Sequence, residues 1–269
     1  LAQRLRRCPG CWQSAMFYCP FCCTPLGVPE GVTVPRVQLP FGRCDIIFDD
    51  SPKKATSIHA KVLAPAQVRL VDVFTSDGCT NRTLSRRGAA GEAEAFPETA
   101  VVREVPEYDP QDTVVLFPDG DSVPFSELSP ATNAASLTLV VIDAPWRRAQ
   151  ALRQHPRLAG LRSVRLRQPP ASRFWRYHAE GEGCVSTVEA LAALAREVAA
   201  VPAEGRGTDP WGDPLLFFFA RQFALIAAQH RRAGLEPPTA EAAKGRRSAR
   251  VRQKERAKRL RPLGSDAES

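Results

Sequence analysis

Past the first 26 residues, the chain alternates between short apolar runs and stretches with helical spacing. Runs rich in β-branched residues predict strands at Asp45–Phe48, Val68–Phe74, Thr113–Phe117, Leu137–Ile142 and Ser163–Leu166. Helical patterns alternate with the later ones. Residues 144–154 form a short candidate helix, and residues 187–199 place Val188, Leu191, Ala192, Ala195 and Val198 on one face. A third helix, over 214–231, opens on Asp213-Pro214, a cap followed by a first-turn proline. It closes on His230, Arg231 and Arg232 before Gly234, which suits a helix C-terminus. Strands alternating with helices predict an α/β domain with a mostly parallel sheet.

Two segments fall outside this pattern. Residues 76–109 lack periodicity and are rich in Gly, Ala, Glu and Arg, so they read as a flexible surface insertion. Residues 236–269 form a polar tail without an apolar face. The expected organisation is therefore a cysteine-rich segment over 1–26, a domain over 27–235 and a disordered tail over 236–269. The longest apolar stretch, Leu215 to Ala228, is interrupted by Arg221 and Gln222, which excludes a transmembrane helix there. The chain opens on Leu1 rather than Met, so no targeting signal is read from its start.

Charge adds a partner to the picture. The chain has 269 residues, 43% apolar and 25% charged, with a net charge of +8. Residues 147–178 hold nine Arg and no acid; residues 244–261 hold ten Lys and Arg against Glu255. Each segment carries +9, leaving the remainder at −10. Concentrated positive charge on an acidic body points to a polyanion, because phosphate contacts release condensed counterions. A solvated charge run is the alternative, more natural for the tail than for residues 147–178.

Of eight cysteines, five lie within residues 8–23. Cys8-Pro-Gly-Cys11 and Cys19-Pro-Phe-Cys22 are two Cys-x-x-Cys turns, able to present four thiolates to one ion. Zinc suits a tetrahedral sulfur site, and the clustering favours a reducing compartment over a disulfide framework. Spacing favours Cys22 over Cys23 as the fourth ligand and leaves the choice open. Trp12, Phe17, Tyr18 and Phe21 either pack over the metal loops or stack on a nucleobase.

Two further segments carry chemistry. Leu137 to Ile142 is an apolar strand that delivers Asp143 at its carboxyl end, just before Trp146 and a helix. Ligands bind at such strand ends in open α/β sheets, so Asp143 is either a catalytic carboxylate or the cap of the next helix. Ser186-x-x-Glu189 has capping-box spacing, and a helix start there can also hold an anion.

Together these segments resemble the DTW-domain family of tRNA-uridine aminocarboxypropyltransferases. The family's motif is Asp-x-Thr-Trp after an apolar strand, followed by an Arg-rich stretch and later Ser-Thr-x-Glu-Ala. This chain has Asp143-Ala-Pro145-Trp146, then Ser186-Thr187-Val-Glu189-Ala190. Met16-Phe-Tyr-Cys19, Leu39-Pro40, Ile58-His59-Ala60-Lys61, Leu116-Phe-Pro118 and Phe174-Trp175-Arg176 match in the same order, closest to the DTW domain-containing protein 1 subgroup. Pro145 stands where the motif has Thr, removing a hydroxyl and a backbone donor beside Asp143.

The resemblance implies a SPOUT-like fold. It also implies transfer of the 3-amino-3-carboxypropyl group of S-adenosylmethionine to N3 of a tRNA D-loop uridine, releasing 5′-methylthioadenosine. On this reading Asp143 is the base or orients the uracil, and Trp146 braces the pocket. Ser186, Thr187 and Glu189 hold S-adenosylmethionine. Arg173, Trp175, Arg176 and His178 meet RNA, with His59 and Lys61 as weaker site candidates. The metal ligands are Cys8, Cys11, Cys19 and Cys22, and the basic tail favours the nucleus over the cytoplasm. Pro145 opens an alternative, a zinc-knuckle RNA-binding protein with a decayed transferase site; methyl transfer is a third reading.

Overall fold

The computed structural model describes residues 5–73, 104–129, 132–175, 184–199 and 212–236. They fall into two compact units, one running to Pro170 and including Ser186–Ala220, the other comprising Ala171–Val185 and the chain from Arg221 onward. Arg176, His178, Cys79 and the basic run over 244–261 lie outside the described residues.

The first unit opens with two short hairpins, β1 (Arg6–Arg7) with β2 (Ser14–Ala15) and β3 (Tyr18–Cys19) with β4 (Thr24–Pro25). The sheet follows: β5 (Arg43–Phe48), β6 (Val68–Asp72), β7 (Thr113–Leu116), β8 (Val123–Pro124), β9 (Thr138–Asp143) and β10 (Arg162–Arg165). Its order is β6-β5-β9-β7-β10-β8, and every neighbouring pair is parallel. Helices α1 (Ser57–Leu63), α2 (Trp146–Arg153), α3 (Pro156–Ala159) and α4 (Thr187–Val198) flank it. Burial on both faces explains why Ile46 to Phe48 and Leu139 to Ile142 read as continuous apolar runs.

Successive strand residues face opposite sides. Ile47, Val71, Val115 and Val140 pack with Ala149 of α2 and Leu158 of α3. Leu139, Val141 and Asp143 face the other way, toward α1 and α4. Asp45, fully buried in β5, receives the fork of Arg69, whose Nε lies 2.9 Å from Oδ1.

The 76–109 reading reached too far. Residues 104–109 are described, and Val105 is buried in the core with Tyr108 packed against it. Arg157 of α3 donates to the Val105 carbonyl. One apolar residue among acids and prolines leaves no periodicity to read.

Asp213 caps a 3₁₀ turn at Pro214–Leu216 by accepting from the Leu215 amide at 2.9 Å. That turn leads into α5 (Phe217–Arg232), beyond which Gly234 adopts φ +64°.

Topology places the site. From β5 the chain crosses through α1 to the edge strand β6; from β9 it crosses through α2 and α3 in the opposite direction, to β10. β5 and β9 are neighbours, with Phe48 in register with Asp143. Their carboxyl ends thus lie where the connections diverge, the point at which open α/β sheets usually form a ligand crevice.

Candidate active site and metal centre

The two Cys-x-x-Cys turns fold alike. Trp12 N–H donates to the Cys8 carbonyl at 2.8 Å, and Cys23 N–H to the Cys19 carbonyl at 2.9 Å. Each turn ends on a left-handed residue, Trp12 at φ +59° and Cys23 at φ +53°. Gly10 leaves room for the sulfurs, since a Cβ there would meet Cys22 Sγ at 3.3 Å. The sulfurs of Cys8, Cys11, Cys19 and Cys22 all lie within 4.8 Å of one another. Zn–S bonds of about 2.3 Å at tetrahedral angles need sulfurs about 3.8 Å apart, so this cluster can hold zinc.

The left-handed turn at Cys23 separates it from the cluster, and burial pushes its thiol up to about 12. Within the cluster, a hydrogen bond from the Cys22 thiol and the N–H groups of Cys22 and Phe21 pull Cys19 down to about 5. Burial pushes Cys11 up to about 11, and donation to Cys19 raises Cys22. A cation is what would let all four ionise together. Phe17 and Tyr18 are buried beneath the turns, whereas Trp12 is 64% exposed.

Asp143 sits where the crevice predicts. Its Oδ2 accepts from the Ser57 N–H at 3.1 Å, and its carbonyl accepts from the Asp49 N–H at 2.9 Å. The Thr187 hydroxyl also bears on the carboxylate, so the starts of α1 and α4 converge on it. Although the residue is half-buried, its carboxylate is desolvated, which raises its pKa above the ordinary value of 3.8 against the pull of these donors. Asp49, beside it, is held by a fork from Arg148 at 2.5 Å; burial nonetheless pushes its carboxyl up.

Pro145 is the N-cap of α2, with φ −54° and ψ 139°. Its carbonyl accepts from Arg148 at 2.8 Å and Ala149 at 2.9 Å, so the proline costs the helix no hydrogen bond. Asp143 is therefore not that helix's cap. Trp146 stacks on Phe117, rings 5.3 Å apart and 7° from parallel, and packs against the core on the α2 side of the sheet.

Ser186 and Glu189 close the capping box: Glu189 Oε2 accepts from Ser186 N–H at 2.8 Å and from its hydroxyl at 2.7 Å. Val188 N–H donates to Thr56 Oγ1 at 3.4 Å, joining α4 to the residue before α1. Capping thus accounts for Ser186 and Glu189, while Thr187 reaches Asp143. Lys61 is structural: its ammonium donates to the carbonyls of Pro65 and Val68, both at 2.8 Å. His59 is fully buried, its Nε2 2.9 Å from the Tyr18 hydroxyl.

The basic segment divides. Arg153 is buried on Asp119, Ser163 and the carbonyls of Leu158 and Leu161, and Arg148 is committed to Asp49. Arg147, Arg162, Arg165 and Arg167 are exposed. Arg173 and Trp175 belong to the second unit, where Arg173 is exposed and Trp175 packs at 5.2 Å on Phe174.

Sequence reasoning missed Thr56, Ser57 and the Asp49–Arg148 pair. The Thr-Ser step ahead of Ile58 was the available signal for a helix start.

The DTW domain model matches residues 16–226, and the chain belongs to the DTW-domain family. It is similar to the mouse protein named tRNA-uridine aminocarboxypropyltransferase 1, with 27% identity over 241 residues, covering 82% of this chain and 76% of the relative. The Xenopus tropicalis protein of the same name is 25% identical over 272 residues, covering 85% and 81%. A Drosophila melanogaster tRNA-uridine aminocarboxypropyltransferase 2 is 38% identical over 85 residues, 31% of this chain and 33% of its own. No solved structure matches. Among the described residues, no helix is long and apolar enough to cross a membrane.

Proposed function

We propose that this protein transfers the 3-amino-3-carboxypropyl group of S-adenosylmethionine to N3 of a D-loop uridine in tRNA. The bond from N3 to the propyl carbon forms as the carbon–sulfur bond breaks. The bonding pair leaves on sulfur, giving neutral 5′-methylthioadenosine, and the N3 proton passes to the Asp143 carboxylate. The sulfonium is already a good leaving group, so the enzyme's work is positioning and proton removal. The observation that carries this reading is the desolvated Asp143 carboxylate at the β5–β9 crevice, gripped by the starts of α1 and α4. Its raised pKa brings it closer to the working range of a general base.

In this reading Thr187 faces the reacting atoms with Asp143. The Ser186–Glu189 turn shapes the co-substrate side, and Trp146 supports the wall. Arg173 and Trp175, with Arg176 and His178, meet RNA phosphate and base. The SPOUT-like fold and a nuclear location are part of the same proposal. Zinc is the ion assigned to Cys8, Cys11, Cys19 and Cys22.

Purified protein given tRNA and S-adenosylmethionine is expected to release 5′-methylthioadenosine with a matching mass gain on uridine. Release of S-adenosylhomocysteine would instead mean methyl transfer. Because Pro145 costs α2 nothing, Pro145→Thr is expected to leave turnover unchanged or raise it by returning the family's hydroxyl. An inactive wild type rescued by Pro145→Thr would identify a decayed enzyme.

The basic run over 244–261 is assigned to phosphate contact. Deleting residues 244–269 is expected to weaken tRNA binding about equally for all sequences and to flatten its salt dependence. Unchanged affinity with altered cellular distribution of a tagged truncation would make the tail a localisation signal.

A further inference from the structure

Tyr18 and His59 join the metal centre to the Asp143 pocket. Tyr18 precedes the metal-cluster residue Cys19 in β3 and is 8% exposed. Its hydroxyl lies 2.9 Å from His59 Nε2, and the two rings meet edge-on at 5.2 Å. Phe218 closes over both, 5.0 Å from Tyr18 and 6.2 Å from His59.

His59 is the third residue of α1, whose first residue, Ser57, gives its N–H to Asp143. Thr56, just ahead, accepts from α4. The beginning of α1 is thus where the pocket's two helix starts are tied together. Yet α1 spans only Ser57–Leu63 and its N-cap side chain caps none of its own N–H groups, so it is too short to hold its place unaided. Lys61 fixes its far end through the carbonyls of Pro65 and Val68. At the near end, besides the bonds of Thr56 and Ser57, His59 meets Tyr18 of the knuckle.

We infer that the metal knuckle positions Asp143, acting through Tyr18 and His59 on the first turn of α1, rather than serving as a detachable grip on RNA. Tyr18 and His59 are positioning residues, and their effect on turnover rests on the transfer reaction proposed above.

The test uses the full, metal-loaded chain with Tyr18→Phe, which keeps the ring and removes the hydroxyl. His59→Phe and His59→Gln accompany it, the latter returning a polar group near the place of Nε2. Metal content is measured first and is expected to be unchanged. Amide hydrogen exchange is then followed in peptides covering residues 55–63 and 113–117. In Tyr18→Phe and His59→Phe the first turn of α1 is expected to exchange about tenfold faster, the size set by one buried hydrogen bond, while β7 stays as in wild type.

Turnover is expected to fall about tenfold at unchanged KM for tRNA, and His59→Gln to recover part of it. Unchanged exchange over α1, or a raised KM at full turnover, overturns the inference; the second result would make the knuckle an RNA contact. If wild type releases no 5′-methylthioadenosine, the transfer reading fails, and hydrogen exchange alone still decides whether the knuckle holds α1.

Discussion

Asp143→Asn is expected to cut turnover by roughly 10²-fold or more while leaving the protein as stable as before, or more so. The two halves of this expectation come from one fact. Desolvation raises the Asp143 carboxyl above 3.8, against the N–H of Ser57 and the hydroxyl of Thr187. A carboxyl with a higher pKa in the folded state binds its proton more tightly there than in the unfolded chain. Its contribution to stability is therefore fully present below the unfolded value and is lost as pH rises through the folded one.

At neutral pH the ionised group thus works against folding, and Asn removes that charge while its carbonyl still accepts from Ser57. Catalysis needs the ionised form, so turnover should fall as pH drops through the raised pKa, with the acid limb above 3.8. The checks are 5′-methylthioadenosine release, the melting temperature and retained S-adenosylmethionine binding. Equal turnover in wild type and variant would reduce Asp143 to an anchor for α1 and α4.

The same residue shows what a sequence can and cannot disclose. β9 was legible because a strand buried on both faces is a continuous apolar run, and Asp143 ends it. The Ser186–Glu189 capping box was legible because its geometry is local. Helix α1 was not, since all seven of its residues are buried, including Ser57, His59 and Lys61, and no polar face gives it a period. What grips Asp143 was equally hidden. Ser57 lies 86 positions away in sequence, and the Asp49–Arg148 pair is 99 positions apart. Only the parallel register of β5 and β9 brings them together. Spacing favoured Cys22 over Cys23 without closing the choice; it is the Cys22 sulfur that lies with those of Cys8, Cys11 and Cys19, while Cys23 takes a left-handed backbone that no spacing encodes.

That decision makes the second large effect specific. Cys11→Ser is expected to take the zinc content from about one per chain to none, because three sulfurs cannot complete the tetrahedral site. Little else holds the knuckle. Its four strands have two residues each, and hairpins of that length are not stable in water. Ala15, Phe17, Tyr18 and Pro20 are its buried apolar side chains besides cysteine. An apparent metal-binding free energy of about 10 kcal/mol or more is typical of small zinc modules, and it doubles as folding free energy.

Its loss should make residues 5–26 sensitive to protease, lower the melting temperature and, through Tyr18, loosen the first turn of α1. Cys23→Ser is the control: with its thiol outside the cluster, zinc should stay at one per chain. Elemental analysis and limited proteolysis of the two variants read this directly. Full zinc in Cys11→Ser, or zinc lost only in Cys23→Ser, would show that the ion sits elsewhere.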